Sequence, residues 1–236
     1  MKRLCTICAR GGSKGLPGKN VRLLSGRPLI AHSVMQAKAS ALFTAVAVSS
    51  DSTVILDAAQ DAGADILIVR PDEMASDTAA KVPAIRHAVV EAERRLGIVH
   101  DVLVDLAATS PTRSVGDIAG AVALLEQAGC GNIVTGSPAR CSPYYSLVER
   151  DPDGVVRLAK RLPGALTRRQ DAPATFDMNG SIYVWRREPF MTAPYIFDNG
   201  TRLLEMPRDR SIDIDDELDF QLAALVMARG TEGPAS

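Results

Sequence analysis

Three cations, four glycines and a proline fall within one short run, Arg10-Gly11-Gly12-Ser13-Lys14-Gly15-Leu16-Pro17-Gly18-Lys19-Asn20. Glycines let backbone N–H groups approach phosphate oxygens closely, and Arg10, Lys14 and Lys19 would neutralise the charge. The run is not a Walker A loop. Five residues separate Gly12 from Gly18 where that motif has four, and Asn20 stands where it needs Ser or Thr. Nor is it a dinucleotide fingerprint, because Gly11 and Gly12 are adjacent and follow an arginine. The competing reading is a flexible solvated turn, which would have no need of three cations just after a strand. A second constellation is Ser211-Ile212-Asp213-Ile214-Asp215-Asp216-Glu217-Leu218-Asp219. On an extended segment Asp213 and Asp215 share a face. Two convergent carboxylates beside a phosphate site are what Mg2+ asks for. The competing reading is helix-start chemistry, with Asp215 as N-cap and Asp216 and Glu217 favoured by the helix dipole. Both can hold together. Jointly the two constellations point to nucleotidyl transfer, with cations for a triphosphate and Asp213 and Asp215 for its metal.

Other reactive residues carry less. Cys5 and Cys8 form a C-x-x-C, but they lie in an apolar strand-like run where residues three apart point to opposite faces. Cys130 and Cys141 do not form a second such knuckle, so the thiols read as small packed hydrophobes. His32, His87 and His100 lack metal-ligand spacing and read as structural or exposed. Asp51 follows a strand without a D-x-D pattern and reads as a helix cap.

The elements that must position these residues alternate. Strands are expected at Leu4–Ala9, Ala45–Ser49, Ile66–Val69, Val102–Leu106 and Ile133–Thr135. Helices are expected at Pro28–Ala39, Thr53–Ala62, Val82–Leu96 and from a Ser114 cap to Gln127. This rhythm implies a mostly parallel sheet with helices on both faces, and ligands bound beyond the carboxyl ends of the strands. Five prolines interrupt it between Ser137 and Thr175, where short strand-like pieces occur at Tyr144–Val148 and Val155–Leu158. Residues 137–175 therefore read as an insertion between 1–136 and 176–230. Strands return at Ser181–Trp185 and Arg202–Met206. A last helix spans Asp216–Arg229 and stops at Gly230, with a disordered tail over 231–236.

Composition sets the frame. The chain has 236 residues, 46% hydrophobic and 23% charged, enough for a sizeable core. Its net charge of -1 argues against a nucleic-acid binder. No apolar run is long enough for a membrane helix, and the N-terminus lacks a secretory pattern. The expectation is a cytoplasmic protein with neither nucleic-acid nor membrane partners.

At these residues the sequence resembles the acylneuraminate cytidylyltransferases, or CMP-sialic acid synthetases, over nearly its whole length. The elements are ICARGGSKGLPGKN (Ile7–Asn20), RPDEMASDTA (Arg70–Ala79), ATSPTR (Ala108–Arg113), TRRQDAP (Thr167–Pro173), NGSIYVW (Asn179–Trp185) and SIDIDDELD (Ser211–Asp219). CTICARGGSKG and FDMNGSIY look most like the branch that activates legionaminic acid. The resemblance implies a three-layer α/β/α, Rossmann-like α/β domain with a small inserted dimerisation subdomain. It implies a homodimer that joins CTP to a nine-carbon 2-keto-3-deoxy sugar acid (a nonulosonic acid), giving the CMP-sugar and pyrophosphate with Mg2+. Ala9, Arg10, Gly11, Gly12, Ser13, Lys14, Asn20, Arg70 and Ser76 match the nucleotide side, and Lys19 a further phosphate or leaving-group cation. Ala107, Thr109, Arg169, Asp177 and Asn179 match the sugar-acid side, with Arg169 suited to a carboxylate. Asp213 and Asp215 match the metal pair. Arg10, Lys14, Lys19, Asp213 and Asp215 would carry the catalysis. Two positions depart from the sialic-acid pattern. Ala107 replaces a common glutamine and Asp177 a common arginine, which favours a sibling sugar acid over N-acetylneuraminate. The alternatives are N-acetylneuraminic acid, pseudaminic acid or KDO as substrate, or a catalytically silent CTP-binding module.

Overall fold

The computed structural model describes residues 1–75, 80–162 and 168–231. Its strands are β1 (Arg3–Cys8), β2 (Leu23–Leu24), β3 (Arg27–Pro28), β4 (Ala45–Ser50), β5 (Ile66–Val69), β6 (Val102–Leu106), β7 (Asn132–Pro138), β8 (Val148–Arg150), β9 (Val156–Leu158), β10 (Phe176–Arg186) and β11 (Arg202–Glu205). Its helices are α1 (Leu29–Ser40), α2 (Thr53–Asp61), α3 (Lys81–Leu96), α4 (Val115–Ala128), α5 (Arg187–Thr192) and α6 (Glu217–Thr231).

Seven strands form one sheet in the order β11-β7-β10-β6-β1-β4-β5. β10 runs against β6 and β7, and the other pairs are parallel. Alternation along the strands sorts the core. Cys5, Ile7, Val46, Val48, Val104 and Leu106 face one way, under Ile30 of α1, Ile55 of α2 and Ile118 of α4. Leu4, Ala45, Ala47, Leu103, Tyr183 and Trp185 face the other, under Ile85 and Val89 of α3 and Phe190 of α5. The result is the expected three layers. Cys5 packs in the first cluster and Cys8 against the second, so the two thiols point apart. His32 is held by the Leu24 carbonyl at 2.9 Å and His100 by Glu93.

Several expectations need correction. β10 extends well beyond Ser181–Trp185, because its first residues pair with the end of β7. Its register shifts between Met178 and Tyr183, a bulge in which Gly180 takes φ +61°. The first strand of the 139–175 excursion is Val148–Arg150, not Tyr144–Val148. Ser142 folds the preceding residues into a turn by accepting from the N–H groups of Tyr145, Ser146 and Leu147. β8 and β9 form a separate hairpin. α5 was not anticipated. α6 runs through Gly230 to Thr231, so that glycine is no cap. Residues 232–236 of the expected tail lie outside the described residues.

A third apolar cluster joins two segments far apart in sequence. Ile212 and Ile214 point inward against Leu16 of the basic loop, Leu24, Leu29 and Phe220. The period-two alternation then turns Asp213 and Asp215 outward. Gly15 lies flat against this segment, and a Cβ there would overlap the Asp215 carbonyl oxygen. Arg22 adds an ion pair to Glu217 and lies 4.2 Å from the Phe220 ring centroid. From the other side Arg210 donates to Asp117 at 2.9 Å, and Asp117 closes a capping box with Ser114 at the start of α4. Burial alone would push the Asp117 carboxyl up, but the Arg210 and Ser114 hydrogen bonds overcome it and hold it below its ordinary value.

Two predictions follow from this packing. Gly15→Ala should push the acid segment off the loop, lowering turnover at least about tenfold with a smaller loss of melting temperature; unchanged turnover would mean that the contact positions nothing. Asp117→Asn should cost about 1–3 kcal/mol in urea denaturation at pH 7. Because the folded pKa of Asp117 is depressed, its contribution is present above about pH 3.9 and is lost as pH falls through the folded value. The difference between variant and wild type should therefore shrink by pH 3.

Candidate active site

The basic loop leaves β1 and turns over the carboxyl ends of the parallel strands. Ala9 is fixed by its N–H to the Ser49 carbonyl (3.0 Å), and Asn20 is buried with its side-chain amide on the Arg10 carbonyl (2.9 Å). The other amide atom of Asn20, Oδ1, is buried and has no protein partner among the described residues. Such an acceptor is costly unless a ligand donor meets it. Gly11 gives its N–H to Asp51 Oδ1 at 2.8 Å. Asp51 is therefore a strut for the loop and not a helix cap; Ser52 occupies the cap position of α2. Gly12 and Lys14 are exposed and Ser13 is half-buried. Lys19 reaches across to the acid segment, donating to the Ile214 carbonyl (2.6 Å) and to Asp215 Oδ1 (3.1 Å).

The helix-start reading of the acid cluster also needs correction. Asp216, and not Asp215, caps α6, its Oδ1 accepting from the N–H groups of Leu218 (2.8 Å) and Asp219 (3.0 Å). Asp219 returns bonds to the N–H groups of Asp215 and Asp216. The caps thus leave both carboxylates free of the helix start, with Asp213 lining the cleft and Asp215 exposed beside Lys19. Asp213 has its carboxyl pushed up by desolvation and by the charge of Asp215, against a Thr109 hydrogen bond and the charges of Lys19 and Lys81.

These residues surround a cleft of about 390 Å³. Ala9, Arg10, Lys19, Asn20 and Arg70 line it on the β1 and β5 side, and Ala107, Thr109, Gly180 and Tyr183 on the β6 and β10 side. Arg70 is buried and braced on Ser49, its Nη2 donating to the carbonyl at 2.8 Å. A second hollow of about 430 Å³ is lined by Arg140, Asp177, Asn179 and Arg208 among others. Asp213 belongs to the wall of both. Asp177 also accepts the Arg140 N–H at 3.1 Å. The Asn179 amide is fully engaged, by Thr135, the Ser181 N–H and Ser211, so it pins β10 to β7 and to the start of the acid segment. Arg169 stands in a short turn, Arg169–Asp171; its side chain, like all of Ser76, lies outside the described residues.

Sequence reasoning missed three site residues. Arg113 closes the T-S-P-T-R run and is buried. It donates to the carbonyls of Ala107 (2.7 Å) and Ser181 (2.9 Å), to Gln36 and to Ser33. Burial pushes its guanidinium down to about 10. This one side chain ties the end of β6 to the middle of β10 along the far cleft wall. Lys81 and Asp105 form an ion pair at 3.2 Å beneath that wall. Asp105 sits inside an apolar strand run, VLVDL, and an acid at that position is the signal that could have found the pair.

Comparison with known proteins follows the same lines. The sequence model of the cytidylyltransferase family matches residues 4–211, ending just before the acid pair. The chain is 39% identical over 95% of its length to a CMP-N,N'-diacetyllegionaminic acid synthase of Campylobacter jejuni, covering 94% of that protein. It is equally 39% identical, with the same coverage, to the post-translational flagellin modification protein B of Campylobacter coli. Among solved structures, a CMP:2-keto-3-deoxy-manno-octonic acid synthetase complexed with CTP superposes with a TM-score of 0.67. It shares 18% identity, with 98% of this chain and 100% of that one covered, and so speaks to the fold. With the basic loop, the cleft and these matches in agreement, the chain belongs to the cytidylyltransferase family.

Proposed function

We propose that the protein transfers CMP from CTP to a nine-carbon 2-keto-3-deoxy sugar acid, N,N'-diacetyllegionaminic acid, releasing pyrophosphate. The observation that carries this reading is the position of Asp213 on the wall shared by two hollows. One hollow has the cations and the unpartnered Asn20 oxygen suited to a nucleotide. The other has the polar and charged lining suited to a sugar acid. The name of the Campylobacter jejuni relative supports the choice of sugar. Ala107 leaves the cleft wall small, consistent with an acceptor whose side substituents are less polar than the glycerol tail of sialic acid.

In this reading the anomeric hydroxyl of the sugar acid attacks the α-phosphorus in line, and the oxygen bridging to the β-phosphorus leaves with pyrophosphate. The protein contributes position and charge. Arg10, Lys14 and Lys19 stabilise charge growing on the leaving group. Asn20 and Arg70 hold the nucleoside, and Arg169 and the lining of the second hollow hold the sugar acid. Asp213 and Asp215 would hold Mg2+. The donor set fits: two hard carboxylates, one of them with a raised pKa that a cation would relieve, and no third protein ligand among the described residues. That is the usual provision for Mg2+ completed by substrate phosphates. Once bound, the ion supplies charge neutralisation at the α-phosphate and acidifies the attacking hydroxyl. Lys19 shares Asp215 and so couples the leaving-group side to the metal side.

The homodimer belongs to the same proposal. Leu147, Val148, Val155, Val156 and Leu158 stand exposed on and beside the β8–β9 hairpin, a concentration of apolar surface that a second copy would cover. No helix among the described residues is long and apolar enough to cross a membrane.

Pyrophosphate release should be measured with CTP, Mg2+ and legionaminic, pseudaminic and N-acetylneuraminic acids and KDO in turn. The expected result is a clear preference for the legionaminic acid. CTP binding with no pyrophosphate from any acid would instead mark a silent binding module. Asp215→Ala should lower kcat by about 100-fold or more at saturating Mg2+; near-wild-type turnover would remove Asp215 from the metal site.

A further inference from the structure

Two carboxylates, Asp177 and Asp213, stand in the wall of the second hollow, and its lining cations are Arg140 and Arg208. The two cations belong to different sides. Arg140 follows β7, and its backbone N–H is given to the Asp177 carboxylate at 3.1 Å. Arg208 opens the short turn Arg208–Arg210 that leads into the acid segment. Its carbonyl accepts the Ser211 N–H at 3.1 Å, and Ser211 Oγ accepts from the Asn179 amide at 2.9 Å. Arg208 is therefore tied to the backbone just ahead of Asp213.

Its side chain is anchored too. Nε and Nη2 donate to the Pro138 carbonyl, at 3.3 and 3.1 Å, where β7 ends. Among the described residues this carbonyl is its one hydrogen-bond partner. The neighbouring Arg210, by contrast, is neutralised by Asp117. A carbonyl carries no charge, and it takes only part of the planar fork of about five N–H groups that a guanidinium presents. Arg208 thus keeps its positive charge and its Nη1 side for a ligand in the hollow, held in place from behind.

In a 2-keto sugar acid the carboxylate is bonded to the anomeric carbon, the same carbon whose hydroxyl attacks phosphorus. When that hydroxyl meets the α-phosphate beside Asp213, the carboxylate is close by. It needs a cation near Asp213 to offset the protein's own acids, and Asp177 repels it from the Arg140 side of the hollow. Arg208 meets both conditions, and its fork matches a carboxylate in two parallel hydrogen bonds. We propose that Arg208 binds the carboxylate of the sugar acid. The proposal rests on the cytidylyltransfer reading above and specifies how that site recognises its acceptor.

The test compares wild type with Arg208→Gln, Arg208→Lys and Arg140→Gln. The substrates are CTP with the best sugar acid from the panel, and CTP with the methyl ester of that acid. Arg208 is exposed, so melting temperature should stay within about 2 °C of wild type in both of its variants. In Arg208→Gln, kcat/KM for the acid should fall about 10- to 100-fold, while KM for CTP changes less than about threefold. The wild-type preference for acid over ester should collapse in the same variant. Arg208→Lys, which keeps the charge and loses the fork, should recover part of both. An Arg208→Gln enzyme with wild-type acid KM and undiminished acid-over-ester preference would overturn the proposal. So would a rise in CTP KM in place of acid KM, or loss of the preference in Arg140→Gln alone. Wild type inactive with every acid would instead overturn the functional reading on which the proposal stands.

Discussion

The loop after β1 can seat on the segment before α6 because residue 15 has no side chain. Gly15 lies against the Asp215 carbonyl, Leu16 joins Ile212 and Ile214 in one apolar cluster, and Lys19 bonds the Ile214 carbonyl and the Asp215 carboxylate. Around two hundred residues of chain separate the partners. Their union brings the positive and negative halves of the site together. Each of its parts does double duty. The two isoleucines that bury the segment also turn Asp213 and Asp215 outward, and the lysine expected to meet phosphate also holds a metal-binding candidate in place.

Charge buried elsewhere in the protein serves this same arrangement. Arg113 gathers the carbonyls of Ala107 and Ser181 and so ties the end of β6 to the middle of β10 as one wall. Asp117 ties the α4 cap to Arg210, just ahead of the acid pair. Asn179 joins β10, β7 and Ser211 through a single amide. Buried polar groups are expensive unless every partner is supplied. These three have their partners, and what they gain is geometric definition of loops that would otherwise be free to drift. The Lys81–Asp105 pair differs. One partner is sealed and the other opens to the cleft.

The strands and helices of the first half were legible because their apolar periodicity is strong and both sheet faces are covered. Ile66–Val69 and Val102–Leu106 agree with the sequence reading to the residue. The reading failed where local pattern is weak or overruled. The early part of β10 carries polar residues and forms a strand through its pairing with β7. Gly230, a natural stop by propensity, stays helical within α6. The cap readings of Asp51 and Asp215 failed, because capping depends on which backbone N–H groups lie within reach: Asp51 holds the Gly11 N–H, and Asp216 takes the cap of α6.

The sequence by itself determined the residue types that define the chemistry: a glycine-rich cationic loop after a strand, and an alternating acid pair before a helix. Both are local patterns, since spacing alone decides which side chains share a face. Tertiary structure decided the rest. It set Asp213 between two hollows, placed Arg113 behind the wall and brought Lys81 of α3 over Asp105 of β6. Those relations depend on strand order and helix placement, and contacts between elements distant in sequence leave no period in the chain that a single sequence could reveal.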